Sequence, residues 1–372
     1  MTLLAFETSC DETSAAVIQN GRVLSSVVSS QIRLHAEYGG VVPELAAREH
    51  LRNLIPMAGA ALDGAKIKPE KLDAFAATQG PGLPAALMAG LKAAQSMAFA
   101  LRRPFVGIHH HEAHLYSPWI SGGQDSEVAA DFEAFEPNIS LIVSGGHTIL
   151  VHVESELKHH VLGSTMDDAA GECFDKVGKL IGLPYPAGPE MDRLAETGDA
   201  KAFDFPRPMI NDANDDFSFS GLKTSVRYFL RDHPEILTDA QRLRDLCASV
   251  QAAIVDVLVA KTIKAAKRLR VSCVTASGGV TCNRALRNQL SAACGREGLK
   301  LRLARANLCT DNAAMIGVLA ERKLISGALK SECLEDVLPN WPLDEIFVPT
   351  VCSCSSVQKN PATVQEITSS CD

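Results

Sequence analysis

Short apolar runs of strand type alternate along most of the chain with longer stretches of helical period. Leu3–Glu7 reads as a strand, followed by the polar turn Thr8-Ser9-Cys10-Asp11-Glu12 and by further strands at Ser14–Ile18 and Val23–Ser29. The layout returns in the middle of the chain. Ile139–Val143 reads as a strand, then come a turn at Ser144-Gly145-Gly146-His147, a strand at Thr148–Val153 and another around Val161. Each trio precedes helix-rich sequence with more strands, Ala74–Thr78 in the first case and Val271–Ala276 with Leu301–Leu303 in the second. The likeness is one of pattern and not of residue identity. It predicts one β-β-β-then-α/β unit used twice, an α/β protein of two lobes, with a turn after the first strand of each lobe facing a cleft between them. The first lobe is expected over 1–120, completed by C-terminal helices in 311–345, and the second over 138–310.

The longest apolar stretch, Leu83 to Leu101, is interrupted by Lys92, Gln95 and Ser96, and reads as a buried amphipathic helix, not a membrane span. Gly122 to Pro137 is acidic and reads as a surface insertion. Pro184 to Pro189 reads as a rigid loop that cannot be helical, and Phe203 to Gly221 as a loop rich in Asp and Asn. Past Val351 the Ser-, Cys- and Thr-rich sequence has no apolar period, so 351–372 is expected to be a disordered tail.

Composition narrows the function. The chain has 372 residues, 46 % of them apolar, enough for a sizeable core. With 44 acidic against 36 basic side chains the net charge is −8, and aromatics make up only 5 %. These figures exclude a generally basic nucleic-acid coat and exposed-ring stacking platforms, so any nucleic-acid contact is local. The eleven cysteines are scattered and form no C-x-x-C pair, which fits reduced thiols. The N-terminus runs directly into an apolar strand without a basic leader, so a soluble cytoplasmic protein is expected.

Candidate chemistry centres on Gly107-Ile-His-His-His-Glu-Ala-His114. On a helix, His110 and His114 share one face and can share one cation; a capping or solvent-exposed histidine cluster is the alternative. The zinc-protease helix is excluded, because Glu112 lies midway between the two histidines, about 200° around the helix from either. Asp311, before a helical run, is a candidate third ligand, with a helix N-cap as its competing role. A His₂-Asp set suits Fe²⁺ or Zn²⁺.

Three Gly-rich turns follow strands: Gly80-Pro-Gly82, Val143-Ser-Gly-Gly-His-Thr148 and Ala276-Ser-Gly-Gly-Val-Thr-Cys-Asn283. Taken together they favour a nucleotide or phosphorylated ligand, although no P-loop is present. Asp168, Glu172 and Asp175 fall on one face of a predicted helix, either solvated or holding ribose hydroxyls. Lys261, Lys264, Lys267, Arg268 and Arg270 form a basic stripe, either solvated or meeting a phosphate backbone.

Eight motifs then occur in order between about residues 3 and 348. They are Glu7-Thr-Ser-Cys-Asp-Glu-Thr13, Gly39-Gly-Val-Val-Pro-Glu-Leu45, Gly80-Pro-Gly82, His109-His-His-Glu-Ala-His114, Ser144-Gly-Gly-His-Thr148, Asp167-Asp-Ala-Ala-Gly-Glu172, Phe217-Ser-Phe-Ser-Gly-Leu-Lys223 and Ser277-Gly-Gly-Val280. Together they closely resemble the TsaD-type tRNA threonylcarbamoyladenosine transferases, once classed as glycoproteases.

The resemblance implies the actin/Hsp70/hexokinase-like (ASKHA) fold, with two ribonuclease-H-like lobes. It implies transfer of threonylcarbamoyl from threonylcarbamoyl-adenylate to N6 of adenosine 37 in tRNAs reading codons that begin with A. By motif, His110, His114 and Asp311 would hold one divalent metal ion, Fe²⁺ or alternatively Zn²⁺. Ile142, Val143, Ser144, Gly145, Gly146, Asp175, Gly188, Asp192 and Asn283 would bind the adenylate. Glu12 would face the reacting group, with Glu12 or Asp11 taking the amine proton. The implied partners are tRNA, a donor synthase, a catalytically inert paralogue and a small P-loop ATPase, with no membrane. Departures are His111, where relatives usually carry an apolar residue and which leaves another histidine pairing open, the 122–137 insertion and the tail. A kinase or ATPase of the same two-lobed fold is the alternative enzyme, and a nucleotide-gated scaffold the alternative without catalysis.

Overall fold

The computed structural model describes residues 1–122, 128–327 and 335–346. Its first sheet comprises β1 (Thr2–Glu7), β2 (Glu12–Gln19), β3 (Arg22–Ser30), β4 (Ala74–Gly80), β5 (Phe105–His109) and the short β6 (Ile120–Ser121) and β7 (Ala129–Ala130), in the order β5-β4-β1-β2-β3-β7-β6. The second comprises β8 (Asn138–Val143), β9 (Thr148–Ser155), β10 (Lys158–Ser164), β11 (Cys273–Ser277) and β12 (Lys300–Leu303), in the order β10-β9-β8-β11-β12. In both sheets the first three strands are antiparallel, and β4 and β5 in the first sheet, like β11 and β12 in the second, run parallel to the first strand. The predicted duplication is therefore real, and each sheet has the ribonuclease-H-like order. β11 starts at Cys273 and not at Val271, because Arg270 closes the preceding helix in a left-handed conformation.

The helices are α1 (Ile32–Ala36), α2 (Pro43–Ala65), α3 (Pro84–Leu101), α4 (His110–Tyr116), α5 (Ala170–Leu180), α6 (Gly188–Ala195), α7 (Ser220–Asp232), α8 (Ala240–Leu269), α9 (Arg284–Glu297), α10 (Ala306–Cys309) and α11 (Ala313–Ser326). β1 is buried along its whole length, because helices cover both faces of its sheet. Leu4 and Phe6 face the core shared with α2 and α3, whereas Leu3 and Ala5 face α4 and α11. The latter core continues to Ile142, Ile149 and Val151 of the second sheet, so α4 and α11 lie between the two sheets. α11 packs so closely that a Cβ on Gly317 would come within 2.4 Å of Ile18 Cγ1. The outer face of the second sheet carries α5 to α9. One described helix, α8, is long and apolar enough to cross a membrane, but 72 % of its most apolar window is buried in this core.

Some irregular segments differ from expectation. The described residues of the 122–137 segment, Gly122 and 128–137, are not simply a surface insertion. β7 joins the sheet edge, and Phe132 and Phe135 pack on Tyr116 and Trp119 with ring centroids 4.6–6.0 Å apart. Burial of these two rings among acidic neighbours docks the segment. The proline loop ends at Ala187, since Gly188 and Pro189 open α6, where a missing N–H costs nothing. Of 311–345, the described part holds one α-helix, α11. Residues 335–346 form a strap whose backbone bonds Gln79, Gln95 and His109 of the first lobe and His159 of the second. The predicted tail, 351–372, lies outside the described residues.

Candidate active site

β5 runs directly into α4, and His109 Nδ1 caps the helix by accepting from the Glu112 N–H at 3.2 Å. His110 and His114 then stand one turn apart, ring centroids 4.8 Å, both facing Asp311. Asp311 Oδ1 lies 3.4 Å from His110 Nε2 and 3.3 Å from His114 Nε2. Asp311 is not the N-cap of α11. Asn312 takes that role, accepting from the Met315 N–H at 3.0 Å, and so leaves the aspartate to the imidazoles. Glu112 points the other way, its carboxylate buried against Lys323, as the helical geometry requires.

Behind His110 stands a residue that sequence reasoning did not single out. Glu7, at the end of β1, is fully buried, with Oε2 3.0 Å from His110 Nδ1. It also accepts from Thr78 Oγ1 and from the Ser9 N–H. The available signal was a carboxylate ending a strand that is apolar on both faces.

Among the described residues, one group of three such side chains is close enough to hold an ion, with its ligand atoms all within 4.8 Å of one another. The donor set fits a divalent metal. Ligand atoms about 2.0–2.1 Å from a tetrahedral ion stand about 3.3 Å apart, as the two Asp311 contacts do. Glu7 supplies the carboxylate–histidine support common behind metal ligands. The local electrostatics favour one positive charge. Burial opposes protonation of His110, yet Asp311 and Glu7 outweigh it and hold its pKa well above the ordinary value. Burial likewise opposes ionisation of Asp311, and the two imidazoles overcome it, holding the carboxyl well below its usual range. Burial keeps His114 neutral by lowering its pKa. His111 joins neither partner set. It is buried with Nε2 unpaired, and its ring lies 4.0 Å from that of His147 in the second lobe.

Asp11 and Glu12 lie at the start of β2 on the same side. Burial raises the Glu12 pKa well above its ordinary value, and Asp311 and Asp11 add to the effect. Across from them, Tyr185 of the second lobe is close enough for Asp11, Asp175 and Glu12 to reinforce the upward shift that burial imposes on its phenol. Sequence reasoning missed Tyr185, which lay in what read only as a rigid loop.

The second lobe assembles its predicted residues around the turn after β8. Ile142 and Val143 bury their side chains on opposite faces of the sheet, so the groups offered outward come from Ser144 to Gly146. A Cβ on Gly145 or Gly146 would meet nothing within 4 Å, so the turn is open. Gly171 at the start of α5 leaves room for Ser144 O, and Gly278 leaves room for Val143 O. Gly278→Ala would place its Cβ 2.3 Å from that backbone oxygen at a φ of +92°. A loss of about 2–4 kcal/mol of unfolding free energy is expected in urea titration, and an unchanged midpoint would contradict the packing.

Asp175 accepts from the backbone N–H groups of Ala187, at 2.7 Å, and Gly188, so two predicted site residues form one unit. Asp192 pairs with Arg284 at 2.9 Å, beside Asn283, which caps α9 and donates to Gln251. Asp168 and Glu172 do not share a free face with Asp175, because Lys176 bridges them at 2.6 and 2.9 Å.

The basic stripe does not offer a phosphate grip. Lys261 is buried and bonds Asn214 O, Lys264 bonds Asp212 O, and Arg268 forks onto Asp215. Lys267 pairs with Glu297 at 2.8 Å, and Arg270 is the left-handed C-cap of α8. Three of the five side chains thus bind the protein's own 212–215 loop, and a fourth binds α9.

Residues 22–318 match the family model described as TsaD: tRNA N6-adenosine threonylcarbamoyltransferase. The chain belongs to the TsaD family of transferases. Relatives of that name include one from Chlorobium chlorochromatii, 51 % identical over 336 residues, covering 88 % of this chain and 94 % of the relative. Another, from Geotalea uraniireducens, is 47 % identical over 347 residues, covering 93 % and 98 %. Among solved structures, HypF of T. kodakarensis superposes with a TM-score of 0.56 at 16 % identity, over 90 % of this chain and 49 % of that one. The fold is the ASKHA fold, and the protein is an enzyme of the transferase class.

Proposed function

We propose that this TsaD-family chain transfers threonylcarbamoyl from threonylcarbamoyl-adenylate to N6 of adenosine 37, forming t6A in tRNAs that read codons beginning with A. The observation that carries this reading is the convergence of a His₂-Asp donor set from the helix-and-crossover side with an open Gly turn from the other lobe. The His111–His147 ring contact at 4.0 Å joins the two.

His110, His114 and Asp311 would hold the ion, Fe²⁺ or alternatively Zn²⁺. When bound, such an ion supplies a Lewis acid for donor oxygens. The donor is a mixed anhydride, so its acyl carbon is already activated and the protein's work is positioning and charge stabilisation. The Ser144–Gly146 turn would direct backbone N–H groups at the donor phosphate. The adenine amine attacks the acyl carbon, the bond to the phosphate oxygen breaks, and AMP departs. Glu12 would accept the amine proton, since burial and the neighbouring carboxylates Asp311 and Asp11 raise its proton affinity well above that of an ordinary carboxylate. Asp175 and Asn283 would act by fixing α6 and the start of α9 around the adenylate.

Purified protein given synthetic threonylcarbamoyl-adenylate, tRNA and the partner subunits should yield threonylcarbamoyladenosine by mass spectrometry. Absence of product would falsify the assignment. Glu12→Gln should slow single-turnover transfer by about 10²–10⁴-fold; an undiminished rate would move the base elsewhere. An inert paralogue and a small P-loop ATPase belong to the proposal as partners. The seven free described cysteines support a reducing compartment, and we place the reaction in the cytoplasm.

A further inference from the structure

Behind the strand that begins at Glu12, the first lobe holds a polar network to which this reaction gives no role. Thr13, Gln31, His35 and His50 are each at most 5 % exposed. Gln31 precedes α1, His35 lies in it, and His50 lies in α2. His50 Nε2 stands 2.9 Å from Cys10 O, which can only accept, so Nε2 carries the proton. Burial lowers the His50 pKa and favours the neutral ring, whose Nδ1 therefore accepts. It does so from Thr13 Oγ1 at 2.8 Å and from Gln31 Nε2 at 3.4 Å. Gln31 gives its other amide proton to Ala46 O, and its Oε1 accepts from His35 Nε2 at 3.2 Å. His35 Nδ1 in turn accepts from the Val42 N–H at 3.2 Å, inside the 39–45 motif. One direction of donation thus serves the whole network and leaves no ring nitrogen unpaired.

The network grips the turn before β2 and the start of that strand. His50 bridges residues 10 and 13, and the Gln31 N–H donates to Asp11 O at 3.0 Å. Strand alternation sets the faces. Ala15 and Val17 lie in the core shared with α2, whereas Ser14 Oγ accepts from the Ala313 N–H of α11. Thr13 follows the first set and meets His50. Glu12 follows the second, on the α11 side of the sheet.

We propose that His50 is a positioning residue for the transfer: by holding Cys10 O and Thr13 Oγ1 from behind the sheet, it fixes where the Glu12 carboxylate stands. The proposal deepens the transferase reading and rests on it for the role of Glu12. A buried network with every member satisfied specifies one geometry. A base displaced by about 1 Å loses on the order of 10²-fold in rate. His50 touches no substrate and acts only through the turn.

The experiment compares full-length wild type and variants, with the partner subunits, in steady-state transfer and in hydrogen exchange by mass spectrometry. His50→Asn keeps a small amide but is one bond too short to reach Cys10 O. Its kcat should fall by about 10²-fold while KM for tRNA and for the adenylate stays within about twofold. His50→Gln places an N–H as many bonds from Cα as the imidazole Nε2, and should recover most of that loss. The double variant His50→Asn with Glu12→Gln should be no slower than Glu12→Gln alone, within about threefold, because no base is left to position. Amides of residues 10–13 and of Gln31 should exchange about tenfold faster in His50→Asn and near the wild-type rate in His50→Gln. Thr13→Val keeps the strand and removes one grip, so its kcat should fall by about three- to tenfold, the worth of one hydrogen bond.

Equal losses in His50→Asn and His50→Gln overturn the proposal, as does a double variant whose losses multiply. If His50→Asn does not fold, Thr13→Val decides, and an unchanged kcat there overturns the proposal. No t6A from wild type removes the transferase reading but not the grip. Hydrogen exchange then decides alone, and unchanged exchange at residues 10–13 in His50→Asn overturns the proposal whatever the transfer rate.

Discussion

Asp311→Ala should leave the protein folded but strip it of metal, with t6A formation down by about 10³-fold. The reason lies in the charge distribution of the triad. His114 is held neutral and His110 is backed by Glu7, so Asp311 supplies the anionic oxygen that faces both Nε2 atoms. Without it, two imidazoles remain, one of them leaning on a carboxylate that sits behind the ring, on its Nδ1 side. Glu7→Gln is the graded comparison. It keeps the three ligands and alters only the support behind His110, so metal affinity should fall by about 10–100-fold. Metal content by mass spectrometry and single-turnover transfer check both variants. Full metal occupancy in Asp311→Ala would remove the aspartate from the ligand set.

The second large effect is on stability. Lys323→Met should cost about 3–5 kcal/mol of unfolding free energy. Glu112 is fully buried in α4, its Oε2 is paired to Lys323 of α11, and its other oxygen has no hydrogen-bond partner. Methionine fills the space of the lysine stem but leaves the carboxylate uncompensated in the layer between the two sheets. Pairing the change with Glu112→Gln should restore most of the loss, because the penalty comes from the abandoned charge rather than from the missing attraction. Urea unfolding of the single and double variants gives the answer directly. A double variant no more stable than Lys323→Met would show that the lysine contributes through packing alone.

The duplicated architecture was legible because β1 and β8 are buried on both faces and so appear as short apolar runs, Leu3–Phe6 unbroken and Ile139–Val143 broken only by Ser140, each followed by a polar turn. The His110–His114 spacing was legible for a similar reason, since a helix period is local. What escaped was decided at a distance. Glu7 reads only as the polar end of a strand until α4 folds back and sets His110 against it, 103 positions later. The basic stripe reads as a solvated or phosphate-facing surface because its partners, Asp212 to Asp215, stand 47–53 positions away in a loop without periodicity. Asp311 was ambiguous for a subtler cause. Either it or Asn312 could cap α11, and only the imidazoles opposite decide which residue is spent on the backbone.

The position of α11 also dictates an order of events on the ribosome. The Ala313 N–H donates to Ser14 Oγ, 299 positions earlier, and the helix covers the face of the first sheet that carries Ala5 and Ile18. At about 5–20 residues per second, that face waits on the order of 15–60 s for its cover after it has been made. The strands of the second sheet, by contrast, all lie within a continuous stretch ending at Leu303. The lobe translated last can therefore complete its own sheet and outer helices first, while the earlier lobe stays open. During that interval its uncovered apolar strands are a natural target for chaperones, and His110 and His114 are emplaced long before Asp311 can join them. On the proposed His₂-Asp reading, ion loading would be a late, post-translational event, and a nascent chain truncated before α11 should be prone to aggregation through its first sheet.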